Sequence, residues 1–313
     1  MRQYRIPNTD LLVSALCFGT SGVGTEIRGS EVDRLIASYL DAGGSFFDTA
    51  HCYAFWVSAG LGASERELAA SLRRLGKFDN VVVATKGGHP DGGENYRRPD
   101  YYISEGIIKS DIDESLDRLG SSHIDLYYLH RDDTRVPVED IIGILNLEID
   151  KGRIRYIGAS NWTSERVASA NEYASKNGLH GFVASELQWS LAEPNWKPGP
   201  DPIMRTVTQD DSEWHASAGI PIVAYSSTAG GYFAGKNSDT FDSPVNRLRR
   251  ERANRLAEEM NCSTTQIALA YLMHQKPLVI PIFRTKAHTH LADILGSAQV
   301  TLSEDQLRWL KYG

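Results

Sequence analysis

Asp125-Leu126-Tyr127-Tyr128-Leu129-His130 is the stretch whose reading decides the fold. Its middle is apolar and aromatic without polar alternation, as expected of a strand covered on both faces. It stops at a titratable side chain. Ile141, Ile142, Leu145 and Ile149 then repeat at helical spacing, and a second run of strand type, Arg155–Ser160, follows. Strand, helix and strand in that order predict two parallel strands joined by a crossover helix.

The same unit recurs along the chain. Upstream runs are Ala15–Gly19, Ser45–Asp48 and Val81–Thr85; downstream runs are Val183–Gln188, Pro221–Tyr225 and Leu278–Pro281. Helical periods lie between them, at Val32, Leu35, Ile36, Tyr39 and Leu40 and at Ile108, Ile112, Leu116 and Leu119. Ser64-Glu65-Arg66-Glu67 and Ser303-Glu304-Asp305-Gln306 read as capping boxes. Gly43-Gly44, Gly120 and Gly152 stand where helix C-termini take glycine. Eight alternations predict an α/β fold, a (β/α)8 TIM barrel forming a single domain over residues 1–313, with an N-terminal β-hairpin (Gln3–Ile6, Leu11–Ser14) closing the barrel bottom. A doubly wound open sheet is the rival. It loses support because no G-x-G-x-x-G follows the first strand.

Composition narrows the function. The chain has 313 residues, 41% hydrophobic and 23% charged, with a formal net charge of −7. That balance argues against a nucleic-acid partner, and no apolar run approaches the roughly 18 residues of a membrane span. The start, Met1-Arg2-Gln3-Tyr4-Arg5-Ile6-Pro7, has no apolar export core. Three widely spaced cysteines, Cys17, Cys52 and Cys262, give neither a disulfide framework nor a zinc knuckle. A cytoplasmic protein is expected. The number of subunits is not read from the sequence.

In such a barrel the chemistry gathers at the C-terminal ends of the strands. There the runs deliver Asp48 with Tyr53 beyond it, Lys86, His130, Ser160-Asn161, Glu186 and Gln188, and Tyr225-Ser226-Ser227. A phenol with an ordinary pKa near 10 is a poor acid at neutral pH, and a nearby ammonium favours its phenolate. A carboxylate would keep that ammonium in place, and a histidine could orient a carbonyl oxygen. Tyr53, Lys86, Asp48 and His130 are such a set, suited to moving a proton at a carbonyl or alcohol oxygen.

At these residues the sequence resembles the aldo-keto reductase superfamily, in its bacterial wording, over essentially the whole chain. The resemblance rests on Phe46-Phe47-Asp48-Thr49-Ala50-His51-Cys52-Tyr53, Gly62-Ala63-Ser64-Glu65, Thr85-Lys86-Gly87-Gly88, the run from His123 to Arg131, Lys151 to Asn161, and Ile280-Pro281. It implies an NAD(P)H-dependent oxidoreductase that reduces a small-molecule aldehyde or ketone, with Asp48, Tyr53, Lys86 and His130 as catalytic tetrad and Tyr53 as acid. It also implies nicotinamide contacts from Ser160, Asn161 and Gln188, with Tyr225 stacked on the ring. Ser226 and Thr228 would meet the pyrophosphate, and Gly19, Thr20 and Asp48 would line the cofactor. Such proteins bind the dinucleotide without the Rossmann glycines.

The adenosine end departs from the family wording. Arg284, Thr285 and Lys286 follow the last strand, with His290 beyond. Two cations and a hydroxyl suit a 2′-phosphate, so NADP(H) is expected over NAD(H), with His290 adding a third donor or stacking on the adenine. The substrate mouth is expected from the loops Ala54–Gly62 with Phe55 and Trp56, Lys86–Tyr102 with Tyr96, Arg97 and Arg98, and Trp189–Pro202 with Trp189 and Trp196. A sugar-like or aromatic carbonyl could stack there, against Trp56 and Trp189 and beside Tyr53 and His130; Asp132 and Asp133 read as turn residues. No resident metal is expected. Two other readings remain open: a cofactor-binding regulatory subunit of the same fold, and a divalent-metal sugar isomerase using Asp48, His130 and Glu186.

Overall fold

The computed structural model describes residues 1–195 and 204–313. Trp196 and the proline-rich stretch to residue 202 lie outside the described residues.

The chain opens with an antiparallel hairpin, β1 (Gln3–Arg5) and β2 (Leu12–Ser14), in which Gln3 faces Ser14. Eight parallel strands then close a barrel: β3 (Cys17–Gly19), β4 (Phe46–Asp48), β5 (Val82–Gly87), β6 (Ile124–Leu129), β7 (Ile154–Ser160), β8 (Phe182–Gln188), β9 (Ile222–Tyr225) and β10 (Val279–Phe283), the last pairing back onto β3. The outer ring is α1 (Ser30–Asp41), α2 (Ala63–Arg74), α3 (Glu105–Leu119), α4 (Val138–Asp150), α5 (Ser164–Lys176), α6 (Gln209–Ala218), α7 (Pro244–Glu259), α8 (Thr264–Met273), α9 (His288–Gly296) and α10 (Glu304–Tyr312). This is the expected (β/α)8 barrel, and each of the eight expected runs overlaps a barrel strand.

Side chains alternate about each strand. One set, with Cys17, Phe46, Val82, Leu126, Tyr128 and Ile280, fills the barrel interior, joined from the hairpin by Ile6, Leu11 and Val13. The hairpin therefore plugs the N-terminal mouth. The Tyr128 ring lies across β7 at its own level, and a Cβ on Gly158 would come within 2.3 Å of it, so only glycine fits there. The opposite set packs under the helices, where Leu35, Ile36 and Tyr39 of α1, Ile108 and Ile112 of α3, and Ile141 and Leu145 of α4 are buried. Helix α8 is apolar nearly all round because α7 covers it.

The capping box at Ser303 is present, with the Ser303 hydroxyl accepting from the Gln306 amide. The one expected at Ser64 is not. Helix α2 starts at Ala63 behind Gly62 in the left-handed region, and the Ser64 hydroxyl donates to the carbonyls of Thr20 and Val23. Tertiary anchoring of the loop after β3 has taken the hydroxyl that local reading assigned to the cap. Among the described residues no helix is long and apolar enough to cross a membrane.

Candidate active site

Asp48 is the last residue of β4, Lys86 lies one residue from the end of β5, and His130 directly follows β6. Parallel pairing puts Asp48 beside Ala84 and Lys86 beside Tyr128, so these side chains meet at the C-terminal rim. The Lys86 ammonium is wholly buried. It donates to Asp48 Oδ1 at 2.5 Å, to the Thr49 carbonyl at 2.9 Å and to the Tyr53 hydroxyl at 3.3 Å, and stands 3.4 Å from Glu186 Oε1. The Tyr53 hydroxyl is 3.5 Å from Asp48 Oδ2. The four expected tetrad residues and Glu186 thus form one cluster, with His130 edge-on to Tyr53 at 6.0 Å between ring centres.

The electrostatics of this cluster follow from burial and from one ammonium serving two carboxyls. Burial opposes the Lys86 charge, but Asp48, Glu186 and Tyr53 outweigh it and hold Lys86 well above its ordinary range. Burial raises Asp48, against the pull of Lys86. Burial and then Asp48 push Glu186 up to about 8. The Tyr53 phenol is also raised, because burial exceeds the lowering by Lys86. The ammonium alone would have lowered it; in this site Tyr53 firmly holds its proton. His130 is well below the usual histidine range through burial, helped by Arg131, and is neutral at pH 7. Its Nδ1 lies 3.4 Å from Cys52 Sγ, and burial pushes that thiol up to about 12.

A second layer sets this floor. Glu65 of the Gly62-Ala63-Ser64-Glu65 motif is buried, accepts from the Thr85 hydroxyl at 2.7 Å and pairs with Arg118 at 3.1 Å. Arg118 also holds the His51 carbonyl at 3.0 Å. Tyr96 and Arg98, expected at the substrate mouth, are instead turned toward His51, with Arg98 paired to buried Asp111 at 2.5 Å. Asp132 and Asp133 are paired with Arg166 and Arg135.

Above the cluster lies a cavity of about 530 Å³, within the ~300–1,000 Å³ range of small-molecule sites. Of the residues expected to hold a cofactor, Gly19, Thr20, Asp48, Ser160 and Asn161 line it from the ends of β3, β4 and β7, Tyr225 from the end of β9, Ser226, Thr228, Arg284 and Thr285 from the loops after β9 and β10, and His290 from α9. A Cβ on Gly19 would stand 2.7 Å from Ile282, so this wall admits no side chain there. Asn161 and Ser226 hold positive φ of 63° and 53°, backbone strain of the kind that gathers at ligand sites. The Asn161 side-chain oxygen accepts from the Tyr225 hydroxyl at 2.7 Å and the Arg205 amide at 3.1 Å.

Other expected residues fall elsewhere. Gln188 closes β8 but does not line the cavity; its amide donates to Ser190 at 3.5 Å. Glu186, level with Ser160 across β7 and β8, lines it instead. Trp189 is buried in the apolar layer with Leu191, Tyr232 and Leu256, a core residue rather than a mouth residue. Trp56 is exposed, 6.2 Å from the Tyr53 ring. Lys286 is not in the wall, and both Lys286 and Arg284 are bonded to Glu26, at 3.1 and 2.9 Å. Reading strand ends one at a time missed Gly230, Gly231 and Lys236, which line the cavity after β9. The Gly230-Gly231 pair was a usable signal, since phosphate sites in such barrels favour the loops after the seventh and eighth strands. Among the described residues, the group whose ligand atoms could converge on a metal ion is Cys52, His89 and His130, within 4.8 Å of one another. It is not the Asp48, His130 and Glu186 set; there the Lys86 ammonium stands between the carboxyls.

The model of the aldo/keto reductase family matches residues 15–311, and the chain belongs to that family. It is 29% identical to the uncharacterized oxidoreductase YrpG of Bacillus subtilis, over 96% of this chain and 92% of that one. It is likewise 29% identical to a probable aldo-keto reductase 1 of Glycine max, over 93% and 82% of the two chains. To the norsolorinic acid reductase of Aspergillus flavus it is 26% identical, over 95% and 76%.

Proposed function

We propose that the protein reduces an aldehyde or ketone to the alcohol with NAD(P)H, Tyr53 acting as the acid. The observation that carries this reading is the convergence of Tyr53, Lys86, Asp48 and His130 at the floor of one cavity, with the Tyr53 proton held in place. The residues present fit a dinucleotide: the Gly19 wall, the strained turns at Asn161 and Ser226, and the glycines after β9 leave room along one trough. Ser160, Asn161 and Tyr225 would hold the nicotinamide, Ser226 and Thr228 the phosphates. A reduced nicotinamide bound there supplies hydride to the carbonyl carbon.

The protein's own part is the proton and the geometry. Neutral His130 hydrogen-bonds the carbonyl oxygen and turns it toward the Tyr53 hydroxyl. Burial keeps the Cys52 thiol protonated, and as donor to Nδ1 it would leave the imidazole proton on Nε2, where a donor to the carbonyl needs it. Tyr53 gives its proton to the developing alkoxide, and the Lys86 ammonium stabilises the phenolate left behind. Asp48 keeps Lys86 charged. Trp56, exposed beside Tyr53, offers a flat apolar face to a sugar-like or aromatic carbonyl.

We infer NADP(H) as the preferred cofactor, since Arg284 and Lys286 present two positive charges against the single carboxylate of Glu26. Glu26 itself favours a second reading, NAD(H), because it already occupies both cations and could accept from a ribose hydroxyl. A panel of aldehydes, ketones and aldoses, followed by nicotinamide absorbance with each cofactor, tests the reading. Turnover that survives Tyr53→Phe would overturn the acid assignment, and absence of turnover across the panel would favour a regulatory subunit.

A further inference from the structure

The buried cluster holds two carboxyls and one ammonium. Asp48 and Glu186 are 2% and 3% exposed, and Lys86 is wholly buried. The other titratable groups that meet Glu186 are Tyr53 after β4, Cys17 of β3 and Tyr128 of β6; all three are raised by burial and neutral at pH 7. With both carboxyls ionised the cluster carries one uncompensated negative charge in a dry site. Such a charge is strongly disfavoured unless it takes up a proton or meets a cation. Asp48 and Glu186 both line the cavity, but the two Asp48 oxygens accept from the Lys86 ammonium and the Tyr53 hydroxyl, whereas Glu186, level with Ser160, accepts from no donor at Oε2 among the described residues.

Building on the cofactor reading above, we propose that Glu186 is the charge partner of the nicotinamide ring: it is a neutral acid beside the reduced ring and a carboxylate beside the oxidised, cationic one. The proton balance of the reaction then closes inside the protein. The carbonyl carbon takes hydride, and its oxygen takes the Tyr53 proton. Lys86, 3.3 Å away, returns a proton to the phenolate, and Glu186, 3.4 Å from Lys86, restores the ammonium. Carbonyl, reduced dinucleotide and Glu186 acid become alcohol, oxidised dinucleotide and Glu186 carboxylate. The site exchanges a proton with solvent when the oxidised dinucleotide leaves, so Glu186 acts as a positioning and specificity residue for the redox state of the cofactor.

The test is binding without turnover. Titration calorimetry of the full chain with NADP⁺ and with NADPH, in buffers of different ionisation enthalpy at pH 7, reads the protons released per site. NADP⁺ should release close to one proton and NADPH close to none. The preference for NADP⁺ over NADPH should rise at least tenfold between pH 6.5 and pH 9, as Glu186 loses its proton without a ligand's help. In Glu186→Gln both the proton release and this pH dependence should vanish. The same question can be asked of the parent alone: its infrared difference spectrum should lose a carboxylic-acid C=O band when NADP⁺ binds. Equal proton counts for the two nucleotides, an undiminished acid band, or an E186Q protein with the parent's pH dependence would overturn the proposal. Failure of the parent to bind either nucleotide, or NADH and NAD⁺, would instead overturn the cofactor reading on which it rests.

Discussion

The two ends of the cavity are built from different materials. At the floor, Asp48, Lys86 and Glu186 are buried and stand on strands held in register. At the outer end, Arg284 in the wall and Lys286 and Glu26 just beyond it have side chains 51%, 67% and 38% exposed, on loops. Charges in the dry floor act strongly on one another, whereas the exposed triplet is screened by water and salt. Chemistry needs the first kind of site. Choice between two dinucleotides that differ by one phosphate can be made with the second.

Substitutions at the two ends should differ accordingly. The largest effect is expected of Tyr53→Phe, which keeps the ring and removes the proton; reduction should fall by about 10²–10⁴-fold, with cofactor affinity nearly unchanged. Rates within a few-fold of the parent would show that the floor does not work as described. Next is Lys86→Met, which leaves Asp48 and Glu186 facing each other without their cation. Breaking a buried pair destabilises by about 3–5 kcal/mol, so urea unfolding should shift accordingly, and the alkaline limb of any residual activity should move to higher pH as Glu186 loses the cation that lowers it. An unshifted unfolding curve would mean that the ammonium is not the keystone of the cluster.

The outer end should respond more gently. Exposed ion pairs are worth about 0–1 kcal/mol each, so Arg284→Ala with Lys286→Ala should weaken NADPH binding by roughly three- to tenfold and NADH binding hardly at all. Raising the salt concentration should imitate that change in the parent, while leaving the Tyr53 and Lys86 phenotypes where they are. Equal weakening of both nucleotides would sink the phosphate-reading role. The smallest effect has the opposite sign: Glu26→Gln frees both cations and should tighten NADPH binding a few-fold. If it instead weakens NADH binding selectively, Glu26 is itself a cofactor ligand and the NAD(H) reading gains.

The same contrast explains what could be read from the sequence. The barrel was legible because apolar runs and helical periods alternate in strict order, and the hairpin because Gln3–Ile6 and Leu11–Ser14 flank a turn. Asp48, Lys86 and His130 were legible because each ends such a run. Glu186 and Gln188 show the limit: both point to the same face of β8, and only three-dimensional closure of the barrel decides that the level of Ser160 belongs to Glu186. Trp189 was placed at the mouth by its loop address and went into the core, because a large ring beside Tyr232 and Leu256 buries more surface than it could at the rim. The Glu26 contacts join residues about 260 positions apart, and no local pattern announces them.

The hairpin plug has a consequence for the order of events. With Ile6, Leu11 and Val13 packed into the bottom of the barrel, the described residues leave the Lys86 cluster open at the C-terminal rim. A dinucleotide lying along the trough ends its reach at the floor, and a carbonyl compound beside Tyr53 would rest on top of it. On the proposed cofactor reading, two visitors sharing that entrance would queue: the longer one first in and last out. Product-inhibition patterns would then show the oxidised dinucleotide competing with the reduced one, and the alcohol competing with neither for the empty protein.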